Sequence, residues 1–159
     1  MATIPFLTQR KERPLKANIL FPEIRRELVS NRKLVGGLRG LFIVTVKKRG
    51  RPQQDWYLLF NGQEQDPVVS KVRPSLPEMD ATSNKTTPVV LAEIEDRELV
   101  NFATGGKSGW NLLMTGKLKV GGDLEVASKL EKILKNTGGV EKVLRVLKQR
   151  SKVHSDGHA

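Results

Sequence analysis

Residues 92–134 read AEIEDRELVNFATGGKSGWNLLMTGKLKVGGDLEVASKLEKIL. The stretch opens inside an apolar, β-branched run over residues 89–94, which predicts a strand. Asp96 stands where a helix N-cap is wanted, Glu98 falls in the positive first turn, and Gly105 stops a short helix over 97–104. SGWNLLM (108–114) predicts another short helix, and TGKLKV (115–120) a strand alternating inward and outward. Asp123 caps a further helix running to about residue 135. On that helix Leu124, Val126, Ala127, Leu130, Ile133 and Leu134 spread the apolar arc unusually wide. Such a helix must satisfy both a sheet and something else, either another helix or a bound chain.

Toward the N-terminus, residues 41–46 form a continuous apolar run, a second strand pattern. KKRGRPQQ (47–54) reads as a turn, DWYLLFNG (55–62) as a strand ending in an Asn-Gly hairpin signal, and PVVSKV (67–72) as a short strand. Residues 73–88 hold three prolines and few apolar side chains, an exposed loop. Before the sheet, Ile19, Leu20, Ile24, Leu28 and Val29 approximate helical spacing. Pro22 is awkward inside a helix but acceptable at its first position, so the main helix is expected to begin there and to stop by Gly36-Gly37. Strands in runs rather than in strict alternation with helices indicate an α+β fold, a five-stranded mixed or antiparallel sheet covered by helices. One domain is expected over 15–150, including an amphipathic helix at 139–150. It is flanked by a flexible basic arm at 1–14 and a disordered tail at 151–159.

Composition narrows the function. The 159 residues carry 28 Lys and Arg against 17 Asp and Glu, a net charge of +11. The excess sits at the two ends: 13 basic against 4 acidic residues over 1–60, and 11 against 5 over 107–159, with an acidic middle of 4 against 8. That asymmetry points to an anionic partner, a membrane surface or nucleic acid. With no Cys, disulfide scaffolds, Cys-ligated zinc and thiol nucleophiles are excluded. The only histidines, His154 and His158, lie in the polar tail, which excludes a histidine-based triad or multi-His metal site within the fold. No apolar run approaches the roughly 20 residues of a membrane span. The N-terminus lacks the apolar stretch of a signal peptide, so an intracellular protein is expected.

Four strings invite sharper readings. NFATGGKS ends like a phosphate-binding loop, but Asn101 takes the first Gly position and the string follows a helix rather than a strand. Arg49-Gly50-Arg51-Pro52 is the core of an A/T-hook, whose arginines enter a narrow minor groove. Between two strands it reads more simply as a hairpin loop, and nucleic-acid binding through it is the alternative function. Asn84-Lys85-Thr86 matches a glycosylation acceptor by chance in a chain without a secretory signal. Glu93, Glu95, Asp96 and Glu98 suggest paired carboxylates, but helix capping accounts for Asp96 and Glu98, and no second catalytic group accompanies them.

The order of elements and several strings resemble the sterol carrier protein type 2 domain family across about residues 15–135. KANILFPEIRREL resembles its first helix, VGGLRGLFIVTVKKRG its Gly-Gly turn and first strand, and WYLLFNG its Trp-bearing second strand. Thr104-Gly105, Gly116-Lys117-Leu118-Lys119, Gly122, Ala127 and Lys129-Leu130 follow the family pattern without a gap. Where members often carry Gln as a head-group partner before Gly116 this chain has Thr115, and Leu113-Met114 replace a frequent aromatic pair.

The resemblance implies an apolar tunnel for fatty acyl chains or sterols and a non-enzymatic lipid-transfer function without cofactor. It assigns lipid contact to Phe21, Ile24, Leu99, Phe102, Trp110, Leu113, Met114, Thr115, Leu124, Leu130 and Leu134. Fatty acids, acyl-CoA, sterols and phospholipids are all candidate ligands. Each methylene removed from water is worth roughly 0.8 kcal/mol, so a tunnel needs little polar chemistry to bind. On the helix at 139–150, Val140, Val143, Leu144 and Leu147 form one stripe. Lys142, Arg145, Lys148 and Arg150 lie around it and are expected to touch an anionic membrane transiently. The chain ends Gly157-His158-Ala159 rather than in a Ser-Lys-Leu-like tripeptide, so the cytoplasm is the expected compartment and the peroxisome the other.

Overall fold

The computed structural model describes residues 14–63, 65–76, 87–103 and 106–136, together with Arg145. Residues 1–13 of the basic arm, the tail and all but Arg145 of the helix expected at 139–150 lie outside the described residues. Arg145 is helical and exposed.

Helix α1 spans Ala17–Ser30. Strands β1 (Arg39–Lys48), β2 (Arg51–Asn61) and β3 (Val68–Ser70) follow, then β4 (Val89–Glu95). Helices α2 (Asp96–Ala103) and α3 (Gly109–Met114), strand β5 (Leu118–Gly122) and helix α4 (Leu124–Asn136) complete the order. The five strands form one sheet in the order β3-β2-β1-β4-β5. β1 and β4 pair in parallel at its centre, and every other pair is antiparallel. The expected mixed α+β sheet is what the chain forms. Its edges are short: β3 has 3 residues, and β5 has 5, of which two are glycine.

Side-chain alternation sorts the sheet into two faces. Phe42, Val44 and Val46 of β1 stand beside Leu58 and Trp56 of β2 and Val90, Ala92 and Ile94 of β4. All but the half-buried Ala92 are buried, and this face packs against the helices. Phe42 meets Phe60 edge-on at 5.6 Å, and Phe21 of α1 lies 4.9 Å from the Trp56 ring.

Four local expectations are corrected. α1 does not start at Pro22; it runs five residues earlier with the proline inside it. The Pro22 ring lies exposed on the solvent side, and the cost is one lost backbone bond and a crowded carbonyl one turn earlier. Burial of Ala17, Leu20, Phe21, Ile24 and Leu28 on the opposite face offsets it. KKRGRPQQ is mostly strand: only Arg49 and Gly50 turn, both with positive φ (55° and 78°), as a two-residue hairpin requires. The Gly50 N–H donates to Glu95 Oε1 at 2.6 Å, which ties the turn to the end of β4. The would-be A/T-hook is thus bent at its centre, and the nucleic-acid alternative gains nothing from it. Asn61-Gly62 is not a tight hairpin either. Gly62 N–H bonds to Leu38 O, Asn61 to Gln65, and β3 begins only at Val68.

Asp96 is the fourth correction. Its carboxylate is spent on another helix, accepting the backbone N–H groups of Lys16 (2.8 Å) and Ala17 (2.9 Å) at the start of α1. Lys16 offers no side-chain cap of its own, so a residue 80 positions away satisfies the orphan donors. Asp96→Ala should therefore lower stability by about 1–2 kcal/mol, with Asp96→Asn costing less because one carbonyl acceptor remains. Thermal melts of the two variants check this; equal, unchanged midpoints would mean that burial alone holds the start of α1.

Candidate functional site

A cavity of about 310 Å³ lies between the sheet and the helices. Its floor is the helix-facing side of the sheet: Phe42 and Val44 of β1, Leu58 of β2, Val90, Ala92 and Ile94 of β4, and Leu118 and Val120 of β5. Its roof takes one residue from α1, Phe21, and Leu99 and Phe102 from α2. Gly109, Trp110 and Leu113 of α3, and Leu124, Ala127, Leu130 and Leu134 of α4, close the rest. The wide apolar arc of α4 is divided. Val126 and Ile133 belong to the packed core, whereas the residues just named face the cavity. Trp110 and Leu124 are 69% and 61% exposed and mark the rim where the cavity meets solvent.

Eight of the eleven residues assigned to lipid contact stand in the wall: Phe21, Leu99, Phe102, Trp110, Leu113, Leu124, Leu130 and Leu134. Three do not. Ile24 is buried, one turn further along α1, and packs in the core instead. Met114 follows Leu113 by one residue, and the 100° turn of a helix carries it to the outside, where it is 66% exposed. Thr115 spends its hydroxyl on the last turn of α3, donating to the carbonyls of Asn111 (2.8 Å) and Leu112 (3.3 Å). Those bonds tie down the helix end.

The other twelve wall residues are not assigned to lipid contact by the sequence reading, and two of them are polar. Glu131 and Ser128 of α4 are the polar side chains of an otherwise apolar wall that includes the indole of Trp110. Glu131 Oε1 accepts the N–H of Gly109 at 2.8 Å, joining α4 to the first residue of α3. Lys135 approaches the same oxygen from one helical turn away, at 3.4 Å. A side chain at Gly109 would displace the Glu131 carboxylate, since a Cβ would lie 2.9 Å from Glu131 Oε2 and 3.2 Å from a Phe102 ring carbon. The sequence carries one signal: Glu131 falls at i+4 from Ala127 and three before Leu134, an acid on the apolar stripe.

On α2, the buried Glu98 receives hydrogen bonds from Asn101 and Lys107, both at 3.3 Å, and Lys117 approaches at 3.5 Å. Burial by itself raises its pKa; those hydrogen bonds and the charges of Lys107 and Lys117 outweigh burial and hold the carboxyl below its ordinary value. A lowered native pKa means that the contribution is complete above the unfolded value and is lost as pH falls through the native one. Glu98→Gln should cost about 1–2 kcal/mol at neutral pH, and its gap from the parent should close toward acid. Paired melts from pH 7 down to pH 3 test it, and a gap independent of pH rules it out.

A second hollow of about 350 Å³ lies against the outside of α1, walled by Pro22, Arg25, Arg26, Val29, Ser30, Trp56 and Val69. Arg25 and Arg26 are exposed, so it is a basic surface depression rather than a place for an apolar chain.

The SCP-2 sterol transfer family model matches residues 21–135, well over half of the chain and every wall residue of the apolar cavity. Among solved structures, sterol carrier protein 2 from Yarrowia lipolytica in its apo form is 24% identical. It covers 80% of this chain and 95% of that one, with a TM-score of 0.57. Sterol carrier protein-2 like-3 from Aedes aegypti is 17% identical with a TM-score of 0.59, covering 78% and 100%. Sterol carrier protein-2 from Aedes aegypti, solved in complex with palmitate, is 16% identical with a TM-score of 0.54, covering 79% and 99%. At these identities the likeness is one of fold. No curated protein matches the chain.

Proposed function

The chain belongs to the SCP-2 sterol transfer family, and from that premise we propose that it binds a lipid in its apolar cavity and carries it between membranes without catalysing a reaction. The carrying observation is the wall itself: 18 of the 20 residues around the cavity are apolar or glycine. A volume near 310 Å³ is at the small end of ligand sites, so a long acyl chain lies partly inside and emerges between Trp110 and Leu124. A relative of the same fold holds palmitate, which supports an acyl chain as one cargo.

Delivery needs contact with a bilayer. Trp110, Leu124 and the nearby Met114 form an exposed apolar rim, and an indole suits the membrane interface. Lys142, Arg145, Lys148 and Arg150 would add electrostatic attraction, each worth about 1 kcal/mol near an anionic surface. Attraction of that size supports docking that is reversible and fades with salt.

One sample titrated in parallel with a fluorescent fatty acid and an A/T-rich DNA duplex tests the reading. Saturable uptake of the fatty acid is expected, followed by transfer to anionic vesicles that slows as salt rises. Saturable duplex binding with no lipid uptake would leave the nucleic-acid alternative standing instead.

A further inference from the structure

We propose that Glu131 selects the head group of the cargo, favouring an uncharged lipid that carries a hydroxyl over an ionised fatty acid. The inference rests on the reading that the cavity takes a lipid, and adds which end chemistry it accepts. The wall contains no Lys, Arg or His among its described residues, so nothing inside it neutralises a buried carboxylate. It contains one acid, Glu131, on the part of α4 that faces α3 beside the rim residue Trp110.

The two oxygens of that acid are used unequally. Oε1 is engaged by the Gly109 N–H and by Lys135, while Oε2 has no hydrogen-bond partner among the described residues. The Gly109 bond fixes the carboxylate in place, and the missing side chain at Gly109 leaves the space that Oε2 occupies. Lys135 is 44% exposed and holds the oxygen already shared with Gly109, so it offsets the charge only weakly. An oxygen held at an apolar wall with free lone pairs accepts a hydrogen bond from an alcohol. The Glu131 side chain is 22% exposed, so water reaches it in part; it still repels a second carboxylate more strongly than in bulk water, because the rest of its surroundings are apolar wall. Hydrogen bonds to charged groups are the strong ones, which sets the preference on the order of tenfold.

Displacement of Nile red from the full-length protein by hexadecanol, methyl palmitate and palmitate measures this. The three share a C16 chain and differ in offering a donor, an acceptor only, or a charge. Hexadecanol is expected to bind about tenfold more tightly than palmitate, with the methyl ester between them. In Glu131→Gln, which keeps the acceptor for Gly109 and so keeps the fold, the three affinities should draw together to within about threefold. Palmitate binding as well as hexadecanol, or a ranking unmoved by Glu131→Gln, would overturn the selection by Glu131 while leaving lipid binding intact. Failure of all three to displace the dye would remove the lipid reading and this inference with it.

Discussion

Ala92→Phe is expected to abolish most lipid uptake while leaving the protein folded. Ala92 lies on β4, in register with Val44 of β1 and Val120 of β5, and all three stand on the cavity floor. A phenyl ring at that position projects into open space instead of into packed side chains, and an aromatic residue suits a strand. Losing room for roughly three methylenes at about 0.8 kcal/mol each weakens binding by about fiftyfold. The melting temperature should hold or rise slightly, since an unfilled apolar volume is a packing defect in the empty protein. Titration with a fluorescent fatty acid beside a thermal melt separates the two effects. Full uptake by a folded Ala92→Phe protein would show that cargo does not lie against the sheet.

The largest effect on stability is expected at Gly122. Its φ is +96°, and a Cβ there would overlap the carbonyl oxygen of Val89 and crowd the Val90 Cα. Both obstacles are backbone atoms of β4, which β1 holds on its other side, so neither can give way. Gly122→Ala should cost about 3 kcal/mol or more, by straining its own φ and prising β5 from β4. Gly121 supplies the comparison. It lacks a positive φ, and a methyl group placed there would meet nothing within 4 Å. Gly121→Ala should therefore stay within about 0.5 kcal/mol of the parent. If the two variants melt alike, the close approach of β5 to β4 is not what fixes Gly122.

How far the sequence carries the fold depends on the range of the interaction concerned. Patterns decided by near neighbours were legible. Asp123 caps α4 as expected, accepting from the N–H groups of Glu125 and Val126 at 3.0 and 3.2 Å. The apolar runs at 41–46 and 89–94 are the centre of the sheet. What failed was decided across the chain. Local rules put Asp96 on its own helix, but the better-placed orphan donors belonged to Lys16 and Ala17. Pro22 looked like a helix start because the burial that carries α1 through it comes from the sheet. The candidate site divides in the same way. Large apolar residues on short helices were found because period and volume identify them. Glu131 was not, because a Glu among lysines on a helix looks solvated until α3 is known to lie against it.

The brevity of β3 and β5 has a consequence for how the protein behaves in a crowd. The open edge of a sheet is a template on which another chain can lay a strand, and polymers grow that way. Here one edge offers three residues, and the other offers five that end in two glycines and carry the exposed Lys119. Neither length registers a stable foreign strand. β1 lies inside the sheet between β2 and β4. β2 is covered by β3 only at Tyr57, Leu58 and Leu59, and the uncovered part of its outer side opens with Arg51-Pro52, a charge and a proline that oppose strand pairing. A protein that exposes Trp110 and Leu124 at the rim of an apolar opening, and Met114 on the same helix as Trp110, already carries one adhesive surface. Blunt sheet edges keep that stickiness from being joined by a second, irreversible kind.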